Sequence, residues 1–218
     1  MISPFLKENR NMEHVLGPIT HNIVRRALSY PEFRELTETL VEERKTTGAN
    51  QSEAYLEYTR LNHQRMHRWD KTLKISAHMT DLVKSIEEHQ VWLVITEAWC
   101  GDGSQSIPYM AALADLNPLI DFKVIMRDEY PEVMDAYLTN GARSIPKLVA
   151  MTADLTCELF TWGPKPKYLI DRQKAYKHDA QGLSYQDYLA EVYLWYAKNK
   201  NQDLELELFP LIQSTLIV

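Results

Sequence analysis

Hydrophobic positions recur at helical spacing through the first ninety residues of the chain. The segments "PITHNIVRRALS" and "PEFRELTETLVEERKTTG" both show this spacing, which predicts two helices. In "SEAYLEYTRLNHQRMHRW", the side chains of Tyr55, Tyr58, Met66 and Trp69 fall near one stripe of a third helix. A fourth helix is predicted over about 80–89.

The pattern changes at Val91. "VWLVIT" is short, apolar and rich in branched residues, which is typical of a strand buried on both faces. Helix-like "SQSIPYMAALADL", strand-like "FKVIMR" and helix-like "YPEVMDAYLTNG" follow, and this alternation predicts a parallel pair of strands joined by a crossover helix. The runs "KLVAMT" and "CELFTW" predict a hairpin closed by "ADLT".

Two further helices are predicted after Gly163, and Ser184 is a candidate N-cap for the second. The tail "LELELFPLIQSTLIV" is apolar enough to pack on the body of the chain or on another subunit, so it offers an oligomer contact. Together these elements predict an α/β fold with a central mixed sheet of about four strands flanked by helices. Residues 1–88 would form a helical extension, and residues 89–218 the core domain with C-terminal helices.

Composition narrows the function classes. At 218 residues and 45% hydrophobic content the chain can bury a core, and its net charge of -6 argues against nucleic acid or an anionic membrane as a partner. The first thirty residues lack the apolar core of a secretory signal, and no run approaches the ~20 apolar residues that span a bilayer. The sequence therefore predicts a soluble, cytoplasmic protein.

The chain has two cysteines, Cys100 and Cys157, too few for a disulfide framework or a four-cysteine zinc site. Cys100 stands where a predicted strand ends and a helix begins. Free N–H groups and the positive end of a helix dipole at such a position lower the pKa of a thiol below the ~8.5 of free cysteine. Asp102 opposes this effect, so modest activation of the thiol is predicted.

The segment from Val91 to Gly163 resembles the thioredoxin family. "WCGDG" at 99–103 is similar to the family's Trp-Cys-Gly-Pro-Cys site without its second cysteine, and Pro108 falls at the family's helix-kinking proline. "SIPKLVAM" is similar to the family's cis-proline loop, and Gly163 to the glycine that ends its last hairpin. The resemblance implies a thioredoxin-like fold and a site with these residues around Cys100: Trp99, Gly101, Asp102, Gly103, Ile145 and Pro146.

The resemblance implies a monothiol site that needs no cofactor. Cys100 takes the place of the attacking cysteine, whereas Gly103 cannot take that of the resolving one, and Val94 replaces the family's buried aspartate. A mixed disulfide between Cys100 and a protein or low-molecular-weight thiol would then be released by an outside thiol or, less favourably, by Cys157. The resemblance also implies that the backbone of Ile145 can pair with an extended peptide substrate.

Other interpretations stay open. The chain could be a redox-inactive module that binds an extended peptide or a partner protein in the groove beside Pro146. Asp102 is either a first-turn acidic residue that favours the helix dipole or a proton-transfer group. A metal site is not predicted, because His63 and His67 share a helix face without the glutamate of a zinc motif or a third ligand.

Overall fold

The computed structural model describes residues 17–216, which form one four-stranded sheet with helices before, between and after the strands. The strands are β1 (Gln90–Thr96), β2 (Ile120–Met126), β3 (Lys147–Thr152) and β4 (Glu158–Trp162). The helices are α1 (His21–Arg26), α2 (Tyr30–Glu42), α3 (Glu53–Thr72), α4 (Ala77–Lys84), α5 (Gly101–Ala114), α6 (Pro131–Ala136), α7 (Lys167–His178), α8 (Tyr185–Asn199) and α9 (Gln202–Thr215).

The sheet has the order β2-β1-β3-β4. Strand β1 runs parallel to β2 and antiparallel to β3, and β3 and β4 form an antiparallel hairpin. The predicted parallel pair, its crossover helix and the hairpin are therefore confirmed. The mixed α/β architecture of about four strands flanked by helices is confirmed as well.

Both faces of the sheet are covered, which explains why all seven residues of β1 are buried. Trp92 and Val94 point into one apolar cluster with residues of α2, α3, α4, α5 and α9, including Met66 and Leu208. Leu93 points into a second cluster with residues of α1 and α6. Since successive side chains of a strand point to opposite faces, the unbroken apolar run from Val91 to Ile95 is what a doubly covered strand needs.

Helix α4 differs from its predicted span of 80–89. It begins earlier because Ser76 caps it, accepting a hydrogen bond from the backbone of Met79 at 3.0 Å. It ends at Lys84, where the side-chain amide of Asn117 donates to the carbonyls of Val83 and Ile86, both at 2.9 Å. This long-range amide satisfies carbonyls that would otherwise continue the helix.

The C-terminal helices pack in two ways. Helix α9 lies on α4 and β4 and buries Leu204, Leu208 and Ile212, so the apolar tail packs on the body of the chain as far as Leu216, and its last two residues lie outside the described part. Helices α7 and α8 instead bury an apolar cluster of their own, which includes Tyr188. The predicted cap of α8 is confirmed, since the Ser184 hydroxyl accepts from the backbone of Asp187 at 3.1 Å.

None of the helices formed by residues 17–216 is both long enough and apolar enough to cross a membrane.

Candidate functional site

The Cys100 thiol lies where the end of β1, the start of α5 and the loop before β3 meet. Cys100 is the N-cap of α5, and its sulfur accepts a hydrogen bond from the backbone N–H of Gly103 at 3.3 Å. The thiol donates in turn to the carbonyl of Ile145, also at 3.3 Å. Only 6% of Cys100 is exposed, so the sulfur is enclosed rather than displayed on the surface.

The loop opposite the thiol has the form that the resemblance implies. The peptide bond between Ile145 and Pro146 is cis. Gly163 packs directly against it, with φ at +125°, and a Cβ atom at Gly163 would lie 2.2 Å from the carbonyl oxygen of Pro146. Glycine is thus required here on two grounds, the positive φ and the close approach of two backbone segments. The next peptide bond, between Gly163 and Pro164, is also cis and was not predicted.

Asp102, two residues after the cysteine, is held by two partners from the C-terminal part of the chain. Its Oδ2 forms an ion pair with Nζ of Lys165 at 2.6 Å, and its Oδ1 accepts from the hydroxyl of Tyr196 at 2.8 Å. The two side chains of the ion pair are only 14% and 19% exposed. Burial lowers the pKa of Lys165, but the charge and hydrogen bond of Asp102, with smaller contributions from Tyr188 and Cys100, together raise this pKa above its ordinary value.

The prediction of a modestly activated thiol was wrong. Burial, and after it the negative charge of Asp102, raise the pKa of Cys100 to about 12. The N–H of Gly103, the ammonium of Lys165 and the hydroxyl of Thr96 lower this pKa, but by less. The helix N-terminus therefore does contribute as predicted, and desolvation of the thiolate outweighs it.

Aromatic side chains from both ends of the chain cover this site. A cavity of about 390 Å³ reaches Cys100, Asp102 and Ile145. Its walls include Trp99 and the tyrosines of α3 and α8, namely Tyr55, Tyr58, Tyr185, Tyr188 and Tyr193. The sequence pattern placed Tyr55 and Tyr58 near one stripe of a helix, whereas it did not mark the tyrosines of α8 as site residues.

Three cationic side chains line the same cavity: Arg127, Arg143 and Lys165. The guanidinium of Arg127 lies over the Trp99 ring, 4.8 Å from its centroid, and Tyr55 packs on that ring at 4.9 Å. None of the three cations was a sequence candidate. Lys165 alone left a signal, since it lies two residues after Gly163, the glycine expected beside the cis-proline loop.

Buried polar side chains of the N-terminal helices hold the cysteine loop in place. Asn62 of α3 donates from its amide nitrogen to the carbonyl of Ala98 at 2.9 Å and accepts from the Ser104 hydroxyl at 3.1 Å. Trp69 donates to the side-chain oxygen of Gln105 at 2.7 Å. The helical extension therefore shares hydrogen bonds with α5, and the boundary at residue 88 stays a prediction.

Gly103, three residues after Cys100, has no room for a side chain. A Cβ atom there would lie 2.7 Å from Oγ1 of Thr96 and 3.4 Å from the sulfur of Cys100. Thr96 is fully buried at the end of β1. Position 103 is therefore tightly packed between the Thr96 side chain and the sulfur of Cys100.

We expect Gly103→Ala to lower the free energy of unfolding by about 1–2 kcal/mol, because overpacking costs about 1–3 kcal/mol and a helical alanine regains about 0.5–1 kcal/mol. Adding Thr96→Ala removes the clashing hydroxyl, so the double variant should be more stable than the two single effects predict. Gly101→Ala is the matched control, since a Cβ there meets the far end of the long Tyr193 side chain, whose hydroxyl lies at 2.8 Å, rather than a short β-branched residue. Urea unfolding measures the free energy of unfolding of each variant. Purely additive effects of the two substitutions would contradict this prediction.

Cys157 lies at the other end of the sheet. Its carbonyl accepts from the backbone of Thr152, which pairs with Gln90 at the start of β1, whereas Cys100 follows the end of that strand. Seven residues of strand span roughly 20 Å, which puts Cys157 out of reach of Cys100 within one chain.

The histidines His63 and His67 lie on α3 beside Arg34, Glu35 and Glu38, away from Cys100. Within residues 17–216, no three histidine, cysteine or acidic side chains are grouped so that they could hold a metal ion.

Comparison with known proteins agrees with the fold described above. A protein of unknown function from Pseudomonas aeruginosa superposes with a TM-score of 0.52 at 13% identity, covering 86% of this chain and 99% of that chain. An HIV epitope-scaffold superposes with a TM-score of 0.51 at 15% identity, covering 85% and 98%. At these identities the likeness shows the fold alone, and no curated protein matches the sequence. A family model described as thioredoxin matches residues 48–177, more than half of the chain, and the chain therefore belongs to the thioredoxin family.

Proposed function

We propose that the chain performs monothiol thiol-disulfide exchange through Cys100, forming a mixed disulfide with a low-molecular-weight thiol compound. The observation that carries the proposal is the position of the sulfur, in the wall of a cavity of about 390 Å³ and at the N-terminus of α5. The N–H of Gly103 donates to that sulfur and stabilises negative charge on it.

The exchange conserves disulfide bonds. Cys100 gives its proton to the solvent, and the thiolate attacks one sulfur of a disulfide R–S–S–R. One S–S bond forms to Cys100, the original S–S bond breaks, and the leaving thiolate takes up a proton. A second thiol molecule must then attack the mixed disulfide, because Gly103 offers no sulfur for an internal attack.

The size and cover of the cavity favour a small partner over a protein. Volumes of about 300–1,000 Å³ are usual for small-molecule sites, so this cavity belongs to the lower end of the range. Tyrosines of α3 and α8 line the cavity together with Cys100, so a ligand that reaches the sulfur contacts aromatic side chains. A protein substrate is the broader form of the hypothesis.

We expect glutathione disulfide or hydroxyethyl disulfide to form one adduct on the wild-type chain, seen by intact mass and located by peptide mapping at Cys100. Reduced glutathione should reverse it. Cys157→Ser is the matched control and should keep the adduct, whereas Cys100→Ser should lose it. The absence of any Cys100 adduct up to pH 9, or modification of Cys157 alone, would overturn the proposal.

A second candidate is a redox-inactive module that uses the same groove for binding. It is supported by the raised pKa of Cys100, which keeps the thiol protonated at neutral pH. For an extended peptide, the carbonyl of Ile145 would first have to give up its hydrogen bond from the thiol. Binding of a peptide or small ligand that is equal in wild type and Cys100→Ser, with no adduct from either disulfide, would favour this candidate.

A further inference from the structure

The charge of the cavity lining differs in sign from that of the whole chain. The chain carries a formal net charge of -6, yet three cationic side chains and one carboxylate line the cavity. The carboxylate, Asp102, is already neutralised by Lys165 at 2.6 Å. Arg127 and Arg143 are therefore the cations of the lining that have no acidic partner within it.

Both arginines have carboxylate partners outside the cavity, and these partners are exchangeable. Arg127 pairs with Asp128 at 2.7 Å, and Arg143 pairs with Asp135 at 2.6 Å. The four side chains are 21–50% exposed. Ion pairs in such positions contribute about 0–1 kcal/mol, so a ligand can compete with them.

Donors for a ligand are also available without breaking these pairs. Arg143 binds Asp135 through Nε and Nη2, so the Nη1 group of its guanidinium takes no part in that pair. Arg127 uses Nη1 only for a long contact of 3.4 Å to the carbonyl of Arg143. A carboxylate, sulfonate or phosphate group fits such donors because the planar guanidinium binds two oxygens of an oxyanion through paired N–H groups.

Most of the other side chains of the lining are aromatic or aliphatic, with Ser144 and Gln173 as polar exceptions in addition to Cys100. Tyr55, Tyr58, Tyr185 and Tyr188 present rings or hydroxyls to the cavity, and Leu189 and Val192 complete the wall on the α8 side. Such a surface gains free energy from burying an apolar ring, whereas a small inorganic anion would leave it wet.

We propose that this cavity binds a small organic anion, with its aromatic or apolar body among the tyrosines and its acidic group on Arg127 and Arg143. The inference rests on the proposed function only for the premise that the Cys100 cavity is the working site. It names the ligand class of that site, and it holds for a disulfide substrate as well as for a ligand that undergoes no exchange.

The test uses Cys100→Ser, in which no exchange can occur, so its failure is distinct from failure of the proposed function. Isothermal titration calorimetry compares 2-naphthoate with two matched probes, the neutral 2-naphthalenemethanol and the cationic 2-naphthylmethylamine. We expect the acid to bind at least about tenfold more tightly than the alcohol, and its affinity to fall as salt is raised. The amine should bind most weakly.

Variants then locate the acidic group. Arg127→Gln combined with Arg143→Gln should reduce the affinity for 2-naphthoate to that for the alcohol. Arg60→Gln is the matched control, an exposed arginine of α3 paired with Glu57 outside the cavity, and should change nothing. Circular dichroism checks that the variants are folded. The salt dependence of binding is measured in Cys100→Ser with both arginines present, so this part of the test does not depend on the folding of the arginine variants.

Three results would overturn the inference: no binding of 2-naphthoate, binding of the alcohol or the amine as tight as that of the acid, or an affinity for the acid that ignores both salt and the two arginine substitutions.

Discussion

Cys100 is expected to react with iodoacetamide about a hundredfold more slowly than N-acetylcysteine at pH 7.5. A pKa of about 12, against ~8.5 for a free thiol, lowers the thiolate fraction by a factor of roughly three thousand. The higher nucleophilicity of a more basic thiolate recovers part of this loss. Peptide mapping separates the adduct on Cys100 from that on Cys157.

The pH dependence of the alkylation rate tests the direction in which the pKa of Cys100 is shifted. The alkylation rate should keep rising through pH 9 and 10, because the pKa lies above both values. Burial of the protonated thiol stabilises the fold fully below the ordinary pKa near 9, and this contribution is lost as the pH rises towards 12. A plateau below pH 9 would contradict the assignment.

Asp102→Asn removes the second cause of the raised pKa and leaves Lys165 beside the sulfur. Each unit by which the pKa falls gives tenfold more thiolate, partly offset by lower nucleophilicity, so roughly a threefold faster reaction per unit is expected at pH 7.5. Asp121→Asn, an exposed carboxylate of β2 outside the cavity, is the matched control and should leave the rate unchanged.

Gly163→Ala is expected to lower the free energy of unfolding by about 3–5 kcal/mol, the largest stability effect we expect. The added Cβ would lie 2.2 Å from the oxygen of Pro146 and 3.3 Å from Cα of Lys147, and both are backbone atoms that cannot rotate away. Backbone strain at positive φ costs about 1–3 kcal/mol and overpacking a similar amount. Thermal unfolding followed by circular dichroism measures this loss of stability. For a poorly expressed variant, the soluble fraction in the lysate is compared with that of the wild type.

Gly182→Ala separates strain from collision. Gly182 has φ at +78°, and no atom lies within 4 Å of the Cβ that alanine would add. Its cost should be only the strain of about 1–2 kcal/mol. Equal losses at Gly182 and Gly163 would show that the contact with Pro146 carries no energy.

Elements with a strong local signal could be predicted from the sequence. The first five residues of "VWLVIT" are apolar because both faces of β1 are covered, and the spacing of "WCGDG" from "SIPKLVAM" places the thiol against the cis-proline loop. Ser184 caps α8 through a hydrogen bond three residues along the chain. Each of these depends on neighbours in sequence or on a pattern that the family shares.

Features set by distant residues could not be predicted. The end of α4 depends on Asn117, which is 31 residues beyond the last carbonyl it binds. The charge state of the site depends on Lys165 and on Tyr196, which is 94 residues from Asp102. Hydrophobic periodicity reports which side of a helix is buried and carries no information about which polar tip reaches which partner.

The contact between Gly103 and Thr96 has a consequence for engineering a dithiol site into this chain. A cysteine introduced at 103 would place its Cβ 2.7 Å from the Thr96 hydroxyl and would be destabilising on its own. A second substitution at Thr96 would have to accompany it, because residues in contact do not contribute additively to stability. Gly103→Cys should therefore be combined with Thr96→Ala in any such design.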